Sequence, residues 1–284
     1  MKSSGESAPQ RALGSTGAEV LPFSLGGEGV LRTVGRAREA VPVILEALRL
    51  GVRYCDTAPA YSQSQDYYGQ AFREAGPEAR SRVVLASKTH DRSRDGSWRL
   101  LEDSLRRLGT PHLDVWQLHD LRTKDELDAI FGRGGAIEAV QQAREQGLVR
   151  FVGLTGHHDP DVLLEAMRRY RFDSVLVAIN PADGRRLPFI PTVVREARAQ
   201  GMAVVGMKVL AAGQIPRDGT ASVAELLRYA ATIADTAIIG CSSAEEVREN
   251  MQAARAFTPM TEDEQRSLER RLVPRPGYDY FKRP

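Results

Sequence analysis

The feature that most constrains this chain is a repeat of kind rather than of letters. Eight short runs rich in Val, Leu and Ile each precede a longer amphipathic run, and several of the amphipathic runs end at a glycine. The apolar runs are Val20–Leu25, Arg53–Thr57, Arg82–Lys88, Leu113–His119, Val149–Thr155, Ser174–Asn180, Ala203–Lys208 and Thr236–Gly240. They do not alternate cleanly between apolar and polar, which suits strands buried on both faces of a parallel sheet. The runs between them read as helices: Arg38–Leu50, Gln65–Ala75, Trp98–Leu108, a stretch ending at Gly147, a helix from Pro160 to about Arg171, one ending at Gln200, Val223–Ala231 and Ala244–Ala254. Gly51, Gly76, Gly109 and Gly201 follow four of these, where glycine takes the left-handed conformation without steric cost. Asp159-Pro160 has the form of an N-cap followed by a first-turn proline.

Eight such units with no break in composition predict an α/β fold closed into a (β/α)8 TIM barrel, not an open doubly wound sheet. The glycine fingerprint of the open sheet, GxGxxG, is missing after the first strand, where the chain reads Leu25-Gly26-Gly27-Glu28-Gly29-Val30. A barrel needs about 250 residues, so one domain over 11–284 uses nearly all of the 284-residue chain. The polar segment 1–10 is expected to be a disordered leader. Arg11–Val20, with two glycine turns, predicts a β-hairpin capping the barrel bottom. Thr261–Leu272 predicts one more helix, and Val273–Pro284 an irregular tail.

Charge and cysteine content narrow the partners. Thirty-nine basic and 37 acidic residues leave a net charge of +2, too little field to favour nucleic acid or a membrane surface. Cys55 and Cys241 form no CxxC pair, so neither a zinc nor an iron–sulfur site is expected from them, and they suit a reducing cytosol. The N-terminus has no apolar core of signal-peptide type, and no run approaches the roughly 20 apolar residues that span a bilayer. A cytoplasmic protein is expected. No heptad seam or long apolar patch fixes an oligomeric state.

The chemistry sits at the strand ends. Asp56 closes the second apolar run with Tyr61 just beyond it, Lys88 closes the third, and His119 the fourth. In a barrel these positions open on the catalytic face. Taken singly, each has an ordinary structural reading: a loop anchor, a solvated lysine, a satisfied histidine. On three consecutive strands they form a combination. A lysine beside an aspartate stays charged, and its charge is expected to bring a nearby phenol down toward a useful acid range.

From Arg11 to about Leu272 the sequence resembles the aldo/keto reductase family. The resemblance rests on Gly51-Val-Arg-Tyr-Cys-Asp56-Thr-Ala-Pro-Ala-Tyr61, Ala86-Ser-Lys88, Ser104-Leu-Arg-Arg-Leu-Gly109, Asp114-Val-Trp-Gln-Leu-His119, Gly147-Leu-Val-Arg-Phe-Val-Gly153, Ile239-Gly240 and Val247-Arg-Glu-Asn250, in order and correctly spaced. It implies a nicotinamide-dependent oxidoreductase acting on a small carbonyl or alcohol, with catalytic Asp56, Tyr61, Lys88 and His119. Tyr61 would donate the proton in reduction, Lys88 with Asp56 would tune it, and His119 would orient the carbonyl. The alternative is a nucleotide-binding regulatory or assembly subunit with little turnover.

The cofactor contacts implied by the resemblance are Gly27, Asp56, Thr155, Asn180, Met207, Lys208, Leu210, Gly240, Ser242, Ser243, Glu246 and Asn250. Several depart from the family pattern. Thr155-Gly156 stands where many members carry Ser-Asn, so the amide is missing and His157 is a candidate to replace it. Leu176 replaces a glutamine, with Asn180 as the substitute, and Met207 replaces a stacking aromatic. Lys208 falls where members contact the pyrophosphate, and Asn250 matches the residue that contacts adenine. Ser242, Ser243 and the helix start near Ala244 suit a phosphate, with Arg248 as a further cation. NADP(H) is the coenzyme the resemblance favours. Glu246, near the usual arginine position, repels a 2′-phosphate but accepts from a ribose hydroxyl, which admits NAD(H). A metal at His157-His158-Asp159 is the competing reading. Adjacent histidines tend to point apart and Asp159 has a capping role, so no metal is expected. Glu28, His90, Trp98, Phe131, Tyr278, Tyr280 and Phe281 are candidate substrate-pocket walls, and the charged loop Asp120–Asp125 suggests an open pocket.

Overall fold

The computed structural model describes residues 8–185 and 187–272. The expected leader falls outside the described residues up to Ser7, and so does the tail 273–284 with Tyr278, Tyr280 and Phe281. Ala8 is buried against the core.

Eight parallel strands close a barrel. They are β3 (Phe23–Gly29), β4 (Tyr54–Asp56), β5 (Val84–Thr89), β6 (Leu113–Leu118), β7 (Val149–Gly156), β8 (Ser174–Ala178), β9 (Ala203–Met207) and β10 (Thr236–Cys241), with β10 paired to both β9 and β3. Ahead of them, β1 (Arg11–Ala12) and β2 (Glu19–Val20) form the expected antiparallel hairpin. Its turn is pinned to the bottom of the barrel by Gly14 N donating to Asp235 Oδ2 (3.0 Å) and Ser15 N donating to Gly201 O (3.2 Å).

The helical layer comprises α1 (Ala37–Arg49), α2 (Ser64–Ala75), α3 (Pro77–Ser81), α4 (Arg94–Leu108), α5 (Lys124–Phe131), α6 (Ala136–Glu145), α7 (Pro160–Arg169), α8 (Arg195–Ala199), α9 (Gln214–Arg217), α10 (Val223–Ile233), α11 (Ala244–Arg255) and α12 (Glu262–Leu272). Asp159 caps α7, its side chain accepting from Asp161 N.

Three boundaries differ from the sequence reading. Val20 belongs to the hairpin and the first barrel strand begins at Phe23, because Pro22 has no N–H to give a ladder and separates the two strands. The stretch ending at Gly147 is two helices. Gly132–Gly135 break it, and a side chain at Gly135 would stand 2.2 Å from Ile130 O. The segment ending at Gln200 is a π turn, Ile190–Val194, leading into the short α8. Asp183 organises its approach by accepting from Phe189 N and Ile190 N, both at 3.0 Å.

The period of two along a strand decides what enters the barrel. Tyr54, Val84, Ala86, Val115, Leu176, Ala203, Val205 and Met207 fill the interior together with Leu13 and Val20 of the hairpin. The residues one step out of phase, such as Cys55, Leu85 and Trp116, pack under the helices instead. Asp56 is two residues after Tyr54, Lys88 is two after Ala86, and His119 is four after Val115. The polar residues therefore lie on the inward phase at successive levels above the apolar filling, Asp56 level with Ala86, Lys88 level with Gln117 and His119 above both.

α2 carries Tyr61's loop at its start and packs on α4. A side chain at Gly69 would meet Arg107 O at 2.1 Å. In a free helix Gly→Ala gains about 1 kcal/mol. Gly69→Ala is expected to cost about 1–3 kcal/mol here, because a backbone carbonyl must move. A denaturation midpoint equal to or above that of the parent would contradict this packing.

Candidate active site at the barrel mouth

Lys88 and Asp56 are 0% and 1% exposed, and Lys88 Nζ donates to Asp56 Oδ2 at 2.6 Å and to Thr57 O at 2.8 Å. Burial alone pushes the carboxyl up and the ammonium down, and each counters the other's shift through the contact. The buried Asp56 Oδ1 has no hydrogen-bond partner.

Tyr61 reaches over this pair. Its loop is tied by Tyr61 N donating to Ala58 O (3.1 Å) and Ser64 N donating to Tyr61 O (2.9 Å). Lys88 Nζ lies 4.8 Å from the ring centroid, and Arg32 covers the ring at 5.1 Å. His119 meets it edge-on, with ring centroids 5.6 Å apart and planes at 81°. A side chain at Gly27 would stand 2.8 Å from Tyr61 Cδ2, so glycine there lets the ring settle.

The electrostatics correct one expectation. Lys88 does not bring the phenol down. Burial, then Asp56 and Glu28, push Tyr61 well above its ordinary range, with Arg32 opposing. Burial, then Lys88, push His119 well below the ordinary histidine range, so its imidazole is neutral at pH 7. A neutral ring retains one N–H, a donor for a carbonyl oxygen.

Two cavities meet at Tyr61. One of about 450 Å³ is lined by Tyr61, His119, Thr155, His157, His90 and Asp120, among others. The other, about 750 Å³, runs past Gly27, Leu210, Gly240, Ser242, Glu246 and Asn250. Glu28, Arg32, Tyr61, Met207 and Lys208 line both. Lys208 has φ +57, the left-handed region that costs a side chain energy, and it stands where the two spaces join. The longer groove suits a dinucleotide, with the glycine strand ends of β3 and β10 on one side and the first turn of α11 at its end.

Some expected contacts are committed elsewhere. Asn180 is buried, donates to Lys208 O (3.1 Å) and accepts from Ala182 N (2.9 Å). Leu176 lies inside the barrel filling. Met207 serves both packing and cavity wall. Gly156 cannot be exchanged for asparagine in this geometry, since a side chain would meet Leu163 Cδ2 at 2.9 Å and Leu121 O at 3.0 Å. Ser243 caps α11 by accepting from Glu246 N (3.2 Å), and Glu246 Oε2 accepts from Ser242 N (2.7 Å). A phosphate at this turn must displace that carboxylate. Arg248 is held by Glu46 (3.0 Å) and Glu245 (2.7 Å) and does not line the groove.

Of the candidate pocket walls, Glu28 and His90 line the smaller cavity. Trp98 instead donates to Glu102 on the surface of α4, and Phe131 lies beneath Arg169. Asp120 and Arg122 of the charged loop also line the smaller cavity, and Arg92 is a wall residue that sequence reasoning did not single out. His157 and His158 do not point apart. Their rings lie side by side, centroids 4.3 Å apart, and both face Asp120.

The sequence profile of the Aldo/keto reductase family matches residues 24–225. The chain is 25% identical to the uncharacterized oxidoreductase YqkF of Bacillus subtilis (strain 168), over 89% of this chain and 94% of that one. Among solved structures it resembles the holo form of aldo-keto reductase AKR11C1 from Bacillus halodurans, with a TM-score of 0.77, 24% identity and coverage of 93% and 96% of the two chains. It also resembles an aldo-keto reductase from Klebsiella pneumoniae solved in complex with NADPH, with a TM-score of 0.75, 21% identity and coverage of 95% and 97%. Among the described residues no helix is long and apolar enough to cross a membrane.

Removing one member of a buried ion pair strands the other. Lys88→Met or Asp56→Leu alone is expected to cost about 3–5 kcal/mol, and the double replacement less than the sum of the two. Chemical denaturation of the four proteins measures this. Additive losses would mean that the two groups do not depend on each other.

Proposed function

We propose that this chain, which belongs to the aldo/keto reductase family, interconverts a carbonyl and an alcohol on a small polar molecule with a nicotinamide dinucleotide, Tyr61 acting as general acid and base. The family relationship makes it an oxidoreductase. The observation that carries the finer reading is the junction at Tyr61. The phenol, the neutral imidazole of His119 and the Lys88–Asp56 pair line or underlie the point where a substrate-sized cavity meets a dinucleotide-sized groove.

When bound, the nicotinamide supplies or accepts the hydride. The protein's part is polar. His119 offers an N–H to the substrate oxygen, Tyr61 delivers the proton as that oxygen gains charge, and donors fixed in place cost no reorganisation at that moment. Lys88 holds a positive charge beneath the ring while Asp56 keeps it there. The paired arginines and acids of the smaller cavity, Arg92 with Glu126 and Arg122 with Asp120, support a hydrophilic substrate over a bulky aromatic one. For the coenzyme, the family resemblance favours NADP(H), and the groove supports Glu246 as the residue that limits it.

A phenol raised above its ordinary pKa stays protonated through neutral and mildly alkaline pH. Carbonyl reduction is therefore expected to hold its rate up to about pH 10, the unperturbed tyrosine value, whereas alcohol oxidation, which needs the phenolate, rises with pH over the same range. Tyr61→Phe is expected to abolish both directions while leaving coenzyme titration by fluorescence nearly unchanged. Retained turnover in that variant, or a reduction rate that falls between pH 7 and 9, would remove Tyr61 from the role.

Removing the carboxylate at the end of the groove gives the coenzyme test. Glu246→Gln is expected to raise kcat/KM for NADPH relative to NADH by roughly tenfold, the effect of about 1.4 kcal/mol of lost repulsion. An unchanged ratio would place Glu246 in helix capping alone.

A further inference from the structure

The geometry points to a divalent-metal site of the zinc type formed by Asp120, His157 and His158, on the wall of the smaller cavity and separate from the Lys88–Asp56 pair. The Nε2 atoms of His157 and His158 lie 3.3 and 3.2 Å from the same oxygen, Asp120 Oδ1. All three donor atoms fall within 4.8 Å of one another. Ligand atoms about 2.0–2.2 Å from a tetrahedral ion stand roughly 3.3 Å apart along each edge of the tetrahedron. Two of the three edges already have that length.

The contact between His158 and Asp120 is not a hydrogen bond. Asp120 Oδ1, His158 Nε2 and His158 Nδ1 are buried and make none, although the carboxylate and the ring are 3.2 Å apart. Short separation without hydrogen-bond alignment is what donors aimed at a common centre show. Buried polar atoms left in this way are costly unless something fills the centre.

The arrangement is fixed before any ligand arrives. Asp120 sits at φ +55, a left-handed conformation that aspartate tolerates better than most residues. Its backbone oxygen accepts from Arg92 (3.1 Å), and the next residue is tied to β7 by Leu121 N donating to Thr155 O (2.8 Å). Arg122 holds Oδ2 at 2.6 Å and so turns Oδ1 toward the histidines. Gly156 allows Leu121 O to approach to 3.0 Å of where a side chain would begin, which brings the two histidines, just past the end of β7, against the Asp120 loop. Outer contacts of this kind orient ligands in metal sites.

Two imidazoles and one carboxylate suit Zn²⁺ and its first-row neighbours, not Mg²⁺ or Ca²⁺. Three protein ligands leave a fourth position for water or an oxygen donor. Asp120 and His157 line the cavity, so a donor there is within the same space as Tyr61.

The test uses the purified full-length protein and the metal alone. Isothermal titration with Zn²⁺ after chelator treatment is expected to show one saturable site per chain, and Co²⁺ to give the intense visible absorption of four-coordinate geometry. His158→Ala and Asp120→Ala are each expected to weaken binding at least tenfold and to abolish the Co²⁺ band. His90→Ala, at an exposed histidine lining the same cavity, should leave both intact. Circular dichroism checks that the variants are folded. Three results would overturn the site: no saturable Zn²⁺ binding by the parent, binding that survives His158→Ala, or a Co²⁺ spectrum of weak octahedral type. The readouts involve no turnover, so they stand or fall independently of the role proposed for Tyr61.

Discussion

A lysine and an aspartate with almost no contact with water, 2.6 Å apart inside a barrel, set the terms for everything above them. Neither charge is tolerable there alone. The pair needs strands that place residue 56 on the inward phase of β4 and residue 88 on the inward phase of β5, and the register supplies this by aligning Asp56 with Ala86, one inward layer below Lys88. It also needs a lid, which Tyr61 provides with its ring 4.8 Å from the ammonium. The apolar layers beneath, from Leu13 of the hairpin up to Met207, close the lower end of the barrel to water. The same pair is then both the most exacting packing problem of the fold and the electrostatic floor of the site.

Backbone strain divides between the two faces of the barrel. On the lower face, where helices return to strands, the residues with positive φ are glycines such as Gly109 and Gly147, which adopt it without cost. Among the described residues, those with side chains and positive φ are Ser62, Asp120, Leu187, Lys208, Ala211 and Ala212. Every one lies in a loop that follows a barrel strand, at the mouth. Such strain persists only where surrounding contacts fix it, and it collects where side chains must be aimed. Three of these residues, Asp120, Lys208 and Ala212, line the cavities. The strained positions with side chains thus collect on the face that carries the cavities.

This division also explains what could be read from the sequence. The barrel was legible in eight apolar runs alternating with amphipathic ones, and Asp56, Lys88 and His119 stood out as polar residues closing three consecutive runs, with Tyr61 on the loop beyond marked by the family resemblance. The structure adds the reason the three strand-end residues face inward, the period of two counted from Tyr54, Ala86 and Val115. Asp120 was not legible, since its role depends on a left-handed backbone and on histidines 37 and 38 positions later, which no periodicity connects. The partner of Arg248 was equally hidden, because Glu46 lies 202 residues away in sequence. Asn180 looked available at a strand end, yet its amide serves the backbone of the neighbouring loop. The split of the stretch ending at Gly147 into two helices was written in Gly132–Gly135 but masked by the helical pattern on both sides.

The raised phenol does not argue against Tyr61 as a proton donor. Its environment in the free protein is acidic: after burial, Asp56 and Glu28 contribute most, and Asp120 adds to them, while Arg32 opposes. A tyrosine in that field holds its proton firmly, which suits the acid role proposed for it at neutral pH. The reverse role needs the field to change. A positive charge entering the groove beside Tyr61 would oppose Asp56 and Glu28 and lower the phenol's affinity for its proton. The oxidised nicotinamide ring carries one positive charge and the reduced ring none, so the oxidised form would offset the acidic surroundings of the phenol and the reduced form would leave them in place. The residues that make Tyr61 a reluctant base in the free protein thereby make its acidity depend on what fills the groove.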